Sequence, residues 1–208
     1  MSIPFIVYAL PRSRTAWLSK FLSYGDWTCH HEQAIYMRTM DDVRALLSRP
    51  DTGCVETAAA QGRYLIKHAF PDIREVVILR PVKEVVNSML NTDVASIAAY
   101  DPDKLQKIME YGDRILRKIA QDVNVLAINY SDLVFEEACA DIFEHCLPYR
   151  FDKSWWKSLK FQNIQVDVKA VLQYYFDNRE AVDGFKRHCK SELRRLHRAG
   201  EISAEMRM

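Results

Sequence analysis

A turn near the N-terminus combines arginines with hydroxyl side chains. The segment Pro11–Trp17 follows a short apolar run and reads Pro-Arg-Ser-Arg-Thr-Ala-Trp. If a helix begins within it, the unpaired backbone N–H groups of the first turn point towards a bound anion. Arg12 and Arg14 add guanidinium groups with bidentate geometry, and Ser13 and Thr15 add hydroxyl donors. The segment therefore predicts a phosphate or sulfate site, and the alternative is a helix cap made by Ser13 or Thr15.

A second basic residue follows the most apolar run of the chain. Arg80 comes directly after Val76–Leu79, and Ser88 lies eight residues later. Ser88 would lie about two turns into a helix that begins near Pro81. Ligands of parallel α/β sheets bind at the carboxyl ends of the strands, so Arg80 and Ser88 are candidates for holding a phosphate. The alternative for Ser88 is an ordinary polar position on a helix.

Alternating apolar and amphipathic segments would position these residues. Strands are predicted at residues 5–10, 27–31, 54–56, 75–79 and 123–129. Helices are predicted at 15–24, 41–47, 58–70 and 105–119, from Pro81 onwards, and through 140–147 after a cap at Ser131 or Asp132. This order predicts an α/β fold, with a parallel sheet of about five strands flanked by helices on both faces. Beyond Phe151 the chain is expected to be helical or irregular, with a basic stretch at 186–198.

Length and composition limit the class of protein. The 208 residues suit a single domain over 1–208, with its core at 4–150 and a helical, basic region at 151–208. A net charge of +1 supplies no global field for nucleic acid or an anionic membrane, so neither is an expected partner. The five cysteines are odd in number and form no CxxC pair, which favours a reducing, cytoplasmic location. No signal peptide or membrane-spanning segment is recognisable.

Together, three motifs resemble the sulfotransferases that use 3′-phosphoadenosine 5′-phosphosulfate (PAPS). That family has a Pro-Lys/Arg-Ser-Gly-Thr-Thr-Trp-like turn after its first strand, which Pro11–Trp17 resembles. It has an Arg that ends a later strand and a Ser eight residues on, as Arg80 and Ser88 do here. It also has a Tyr-x-Asp-Leu segment, which is similar to Tyr130–Leu133. The resemblance covers residues 4 to 150 and implies a P-loop-like sulfotransferase architecture.

The resemblance implies a role for each matching residue. Arg12 would meet the leaving and transferred oxygens, and Arg80 and Ser88 would hold the 3′-phosphate. Trp17 would pack near the adenine or, alternatively, in the core. The 5′-phosphosulfate would be wrapped by the backbone N–H groups and the hydroxyl of the turn, formed by Ser13, Arg14, Thr15 and Ala16.

Three departures from the family pattern bear on this site. Arg14 stands where the family has Gly, so either its backbone adopts an angle that is costly for Arg or its side chain contacts the anion. Ala16 replaces a hydroxyl residue, which removes one side-chain donor. The family's Gly-rich basic segment near the C-terminus is not evident. Residues that could replace it, or form only a solvated basic helix, are Lys186, Arg187, Lys190, Arg194 and Arg195.

The implied reaction moves a sulfuryl group from PAPS to a hydroxyl or amine of a small-molecule or glycan acceptor. Charge stabilisation by Arg12 should dominate, and we expect no metal. The acceptor's proton needs a base, for which we expect Glu32 or His31, with Glu56 as a third candidate. His30 and His31 point to opposite faces of a strand, so a metal site made from this pair and Glu32 is not expected.

Two other functions remain open at this point. A P-loop-like nucleotide kinase would share the architecture, although the GxxxxGK[ST] spacing is absent. A non-catalytic nucleotide-binding or interaction domain would explain Arg14 and Ala16 as decay of the cofactor turn. An acceptor pocket would be built from variable loops, expected at residues 34–38, 94–101 and around Trp155–Trp156.

Overall fold

Five parallel strands form the sheet of the computed structural model, which describes residues 2–91, 101–165 and 179–202. Their spatial order is β2-β3-β1-β4-β5, so the first strand lies at the centre. Every pair of neighbouring strands is parallel, which confirms the predicted α/β fold. The strands are β1 (Phe5–Ala9), β2 (Thr28–His31), β3 (Thr52–Glu56), β4 (Arg74–Leu79) and β5 (Val125–Asn129).

Helices connect the strands. The helix predicted at 58–70 divides into a 3₁₀ turn, Ala59–Gly62, and a shorter α-helix. Further 3₁₀ turns lie at Gln33–Ile35 and Tyr130–Val134. The α-helices are α1 (Thr15–Leu22), α2 (Met40–Leu47), α3 (Arg63–Ala69), α4 (Val82–Leu90), α5 (Pro102–Ile119), α6 (Glu136–Cys146), α7 (Lys153–Leu159) and α8 (Arg179–Arg198).

The sheet is covered on both faces, as expected for a parallel sheet whose central strand, β1, is fully buried. Alternate side chains of β1 enter two separate cores. Phe5 and Val7 pack with α1, α6 and α7, whereas Ile6 and Tyr8 face the opposite core with the remaining helices. A Cβ atom at Gly53 would lie 2.2 Å from the Phe5 ring, so the approach of β3 to β1 requires glycine there. Because the strands are parallel, their carboxyl ends lie along one edge of the sheet.

The expected cap of the last predicted helix is wrong. Ser131 and Asp132 both belong to the 3₁₀ turn Tyr130–Val134, and α6 begins only at Glu136. The Asp132 carboxylate accepts hydrogen bonds from Ser131 Oγ at 3.1 Å and from Asn129 Nδ2 at 3.0 Å. Such local side-chain bonds stabilise turns, and here they hold the chain in a tight turn before the helix begins.

All five cysteines are buried and none forms a disulfide. They therefore act as small apolar side chains of the two cores. Across the described ranges, no helix has both the length and the apolar character that crossing a membrane requires.

Candidate functional site

The turn after β1 adopts a backbone that few residues other than glycine tolerate. Arg12 and Arg14 have φ angles of 64° and 60°, in the left-handed region. The costly angle expected at Arg14 is therefore confirmed. Arg14 is the N-cap of α1 and makes no side-chain cap bond, so the alternative of a cap made by Ser13 or Thr15 is wrong. Each such residue costs about 1 to 3 kcal/mol and persists only where surrounding contacts fix it.

Several donors of this turn have no hydrogen-bond partner among the described residues. The backbone N–H groups of Ser13, Arg14 and Thr15 donate to no backbone carbonyl in the described part of the chain. Ser13 is fully buried, and its Oγ has no hydrogen-bond partner among the described residues. A buried hydroxyl without a partner costs about 1 to 3 kcal/mol, so such a group usually binds a water, an ion or a ligand. This set of donors at the opening of α1 fits an anion.

The structure brings the two predicted phosphate motifs together. Arg12 Nε donates to Ser88 Oγ at 3.2 Å. The Arg80 guanidinium donates to the backbone carbonyl of Arg12. Because β1 and β4 are neighbours in the sheet, their carboxyl ends meet and carry both motifs to the same place. Arg12, Arg80 and Ser88 therefore form one cluster, which we call the cationic cluster.

The Arg14 side chain contacts backbone carbonyls and an aromatic ring rather than the cationic cluster. Its guanidinium donates to the carbonyls of Lys160, at 3.0 Å, and Leu133, at 3.4 Å. It also lies 4.4 Å from the centre of the Trp17 ring. The hypothesis that the Arg14 side chain contacts the anion is therefore not supported. These contacts instead help to fix its left-handed backbone.

Trp17 is a core residue. It is 1% exposed, its ring stacks on Phe21 at 4.9 Å, and its indole N–H donates to the carbonyl of Leu159 at 2.9 Å. A ring without exposed surface cannot pack on a nucleotide, so of the two alternatives for Trp17 the structure supports the core. Ala16, beside it, is half-buried and supplies only its backbone to the turn.

A polar chain joins the turn to the ends of β2 and β3. His31 Nε2 lies 2.9 Å from Thr15 Oγ1 and 3.7 Å from Glu32 Oε1. Glu32 Oε2 accepts hydrogen bonds from the Thr57 backbone N–H, at 3.2 Å, and from its hydroxyl, at 2.8 Å. Since Thr15 can donate and accept at once, it can contact His31 and a bound anion together. His31 and Glu32 thus lie beside the turn Pro11–Trp17, which we call the anion turn because its donors fit an anion.

Burial shifts the proton equilibria of these groups towards their neutral forms. It lowers the pKa of His31 to about 4, so the imidazole is neutral at pH 7. It raises the pKa of Glu32 to about 7, although the hydrogen bonds from Thr57 act in the opposite direction. Burial, and then repulsion by Glu32, raise the pKa of Glu56 well above its ordinary value. Strongly shifted pKa values cluster at active sites, so these groups are candidates for proton exchange.

Glu56 has an additional structural role. Its two carboxyl oxygens accept the backbone N–H groups of Gln33, at 2.8 Å, and Ala34, at 3.0 Å. The side chain is 1% exposed and holds the 3₁₀ turn that follows Glu32. Of the three expected bases, Glu56 is therefore the one with the least access to an acceptor.

The loops expected to bind an acceptor have different outcomes. Trp156 is 4% exposed, and the Trp155 indole donates to the carbonyl of Phe21 at 3.0 Å, so this pair packs into a core. Residues 94–100 of the second loop lie outside the described residues. In the first loop, Ala34 is buried and Tyr36 is 48% exposed.

The basic C-terminal residues lie on α8, which packs against α3 and the turn Ala59–Gly62. Arg195 pairs there with Glu192 at 3.0 Å. Of the five basic residues predicted to bind there, Arg187, Lys190, Arg194 and Arg195 have exposed side chains, and that of Lys186 lies outside the described side chains. Their proposed part at the 3′-phosphate stays a prediction. Within the described ranges, no group of three or more His, Cys, Asp or Glu side chains is placed to hold a metal ion.

No family model matches the sequence, and no curated protein does. Three solved sulfotransferases are similar in structure. The sulfotransferase domain from the curacin biosynthetic pathway has a TM-score of 0.58 at 10% identity, with 82% of each chain covered. The sulfotransferase from Alicyclobacillus acidocaldarius has a TM-score of 0.54 at 12% identity, covering 91% of this chain and 96% of that one.

The third is the mouse sulfotransferase SULT7A1 complexed with PAP. It has a TM-score of 0.57 at 14% identity over 76% of this chain. This chain spans 63% of the length of the mouse enzyme. The chain has a sulfotransferase fold. At these identities the likeness concerns the fold, and the roles of individual side chains depend on the geometry described above.

Three residues of this sulfotransferase fold were missed by sequence reasoning. Tyr130 stacks on the Arg80 guanidinium at 4.0 Å. The Tyr-x-Asp-Leu match included Tyr130 but gave it no role. Thr57, which binds Glu32, has no sequence signal except its position directly after β3. Glu84, 3.4 Å from Arg80 Nε, could have been found from the four-residue spacing on a helix.

Proposed function

We propose that this chain is a sulfotransferase that moves a sulfuryl group from PAPS to a hydroxyl or amine of a small-molecule or glycan acceptor. The observation that carries the proposal is the cationic cluster, in which Arg12 contacts both Ser88 and Arg80. A nucleotide with anionic groups at its 5′ and 3′ positions needs two adjoining anion sites. The opening of α1 provides one, and Arg80 with Ser88 provides the other. The PAP complex of the similar mouse enzyme supports this nucleotide class.

Each part of the site has a chemical task. The donor, when bound, supplies an activated sulfuryl group. The N–H groups of the turn and the Ser13 hydroxyl hold its 5′-phosphate, and Arg12 neutralises charge that develops on the transferring and leaving oxygens. The acceptor oxygen or nitrogen forms the new bond to sulfur while the bond from sulfur to the phosphate oxygen breaks. Adenosine 3′,5′-bisphosphate leaves, and the acceptor's proton passes to the protein.

We assign that proton to the pair His31 and Glu32. His31 is neutral at pH 7 and lies against Thr15 of the anion turn. Glu32, with a pKa of about 7, exchanges a proton near neutral pH and can stabilise a positive charge on the imidazole 3.7 Å away.

Thermal unfolding with added nucleotides tests this function. We expect adenosine 3′,5′-bisphosphate to raise the melting temperature, because a ligand at 100 times its Kd adds about 2.7 kcal/mol to stability. ATP with magnesium should produce no comparable shift. A shift with ATP and magnesium alone would establish the kinase instead, and no shift with either would favour a non-catalytic interaction domain.

Release of adenosine 3′,5′-bisphosphate from PAPS in the presence of an acceptor panel then tests turnover. The panel should contain phenols, aliphatic alcohols, amines and sugars. Acceptor-dependent release is expected for at least one class. Tight nucleotide binding without acceptor-dependent release from any class would support a binding domain over an enzyme.

A further inference from the structure

The Arg80 guanidinium is held on three sides. Its NH1 group donates to the Arg12 carbonyl, and its Nε lies 3.4 Å from Glu84 Oε2. Its central carbon lies 4.0 Å from the centre of the Tyr130 ring. The Arg80 side chain is only 11% exposed, so its contacts with the Arg12 carbonyl and the Tyr130 ring are partly shielded from water, whereas Glu84 is 54% exposed. Shielding strengthens a cation–π contact from about 0.5 kcal/mol to about 2 kcal/mol.

The sheet register produces the contact between Arg80 and Tyr130. Leu79 of β4 pairs with Asn129 of β5, and the two strands run parallel. The residues that follow this pair are Arg80 and Tyr130. They leave neighbouring strands at the same level, which places the ring beside the guanidinium. The contact is therefore a consequence of strand pairing rather than of a flexible surface side chain.

The three contacts restrict the guanidinium in different ways. The Tyr130 ring limits movement of the guanidinium on one side, and the Arg12 carbonyl and the Glu84 carboxylate limit the directions of two of its nitrogens. A guanidinium has five N–H donors, and Glu84 and the Arg12 carbonyl use only part of them. The remaining donors keep a fixed direction, which is the condition for bidentate binding of a phosphate.

We propose that Tyr130 is a positioning residue that holds Arg80 for the 3′-phosphate and so sets the preference for 3′-phosphorylated nucleotides. The inference rests on the proposed function, because it assumes that Arg80 receives that phosphate. Tyr130 acts through its ring. Its hydroxyl has no part in the contact, so phenylalanine should replace it.

Binding of two nucleotides tests the inference. Titration calorimetry would measure Kd for adenosine 3′,5′-bisphosphate and for adenosine 5′-phosphate, which lacks the 3′-phosphate. We expect Tyr130→Phe to bind both as the wild type does. Tyr130→Leu should weaken binding of the bisphosphate by roughly 3- to 30-fold, the span from an exposed to a shielded cation–π contact, and leave binding of the 5′-phosphate unchanged. In an Arg80→Ala background, Tyr130→Leu should have no further effect.

A matched control comes from a second Tyr–Arg pair. Tyr111 on α5 lies 5.7 Å from the guanidinium carbon of Arg114, outside the cationic cluster. Tyr111→Leu should leave both Kd values unchanged. If Tyr130→Leu does not fold, Tyr130→Met provides the same comparison with a longer apolar side chain.

Two results would overturn the inference while leaving the proposed function intact. Equal weakening of both nucleotides by Tyr130→Leu would show that the ring contacts the nucleotide directly. Bisphosphate binding unaffected by Tyr130→Leu would show that Arg80 needs no ring. A wild-type protein that binds the bisphosphate no better than the 5′-phosphate would instead refute the proposed function, and the inference with it.

Discussion

The two sides of the candidate site differ in the kind of side chain that they present. At the ends of β1 and β4, the arginine side chains of Arg12 and Arg80 contact a hydroxyl, a carbonyl and a carboxylate. At the ends of β2 and β3, burial lowers the pKa of His31 and raises the pKa of Glu32 and of Glu56. Each shift favours the neutral form of the side chain. We call these three residues the titrating side. One side carries a permanent charge suited to anions, and the other holds protons that can be exchanged.

The largest expected effect separates catalysis from binding within the cationic cluster. Arg12→Ala should lower kcat by about 100- to 1000-fold, the loss typical of removing one donor to a developing charge. Arg80→Ala should mainly raise the KM for the donor, because its contact with the 3′-phosphate is the same in the ground and transition states. Steady-state kinetics with varied PAPS measures both parameters. Arg44→Ala, which removes an exposed arginine paired with Asp41, is the control.

Full activity in both variants would contradict the assignment of the cationic cluster. A loss of kcat in Arg80→Ala without a change in KM would instead assign Arg80 a role at the reacting centre.

The titrating side should be visible in stability as a function of pH. The pKa of Glu32 is raised from 4.5 to about 7. Its contribution to the free energy of unfolding is therefore complete below pH 4.5 and is lost as pH rises through 7. The pKa of His31 is lowered from 6.5 to about 4, so its contribution is complete above pH 6.5 and is lost as pH falls through 4. Each difference corresponds to about 3 kcal/mol of unfolding free energy.

Urea unfolding across this pH range would resolve the two contributions. Relative to wild type, Glu32→Gln should gain up to about 3 kcal/mol between pH 4.5 and 8, and His31→Gln should gain about as much as pH falls from 6.5 to 4. Glu137→Gln, at an exposed position, is the control, and its free energy of unfolding should vary with pH as that of the wild type does. A Glu32 or His31 variant that runs parallel to the wild type would contradict its buried, shifted titration.

The rate should depend on pH through the same pair. We expect kcat/KM to rise about tenfold per pH unit up to a midpoint near 7, since Glu32 must be ionised. Glu32→Gln should lower the rate and remove this rise. A wild-type midpoint near 4 would instead assign the base to His31 alone.

The smallest expected effect concerns Arg14, which lies on neither side. Arg14→Ala keeps the strained backbone and loses the contacts with Lys160 and Leu133, so it should destabilise by about 2 kcal/mol. Arg14→Gly loses the same contacts but relieves the strain, so about 1 kcal/mol is expected. Arg117→Ala, in an exposed ion pair, is the control. A glycine variant more stable than the wild type would show that the contacts contribute less than the strain.

The fold was predictable because apolar runs and amphipathic segments specify strands and helices locally. The meeting of Arg80 with the first turn followed from the rule that strand ends share one edge of a sheet. Contacts made by α7 were not predictable, since nothing near Arg14 in the sequence indicates Lys160, 146 residues away. Trp17 was ambiguous because an aromatic residue on a helix face suits a core or a ligand equally well. The contact with Leu159 that places it in the core is also distant in sequence.

The central claim is that the opening of α1 and the pair Arg80–Ser88 hold one nucleotide between them. A crystal structure with adenosine 3′,5′-bisphosphate tests it most directly. We predict 3′-phosphate oxygens within about 3.2 Å of Arg80 and Ser88, and the 5′-phosphate at the N–H groups of residues 13–16. A bisphosphate bound elsewhere, or with its 3′-phosphate away from Arg80 and Ser88, would contradict the account.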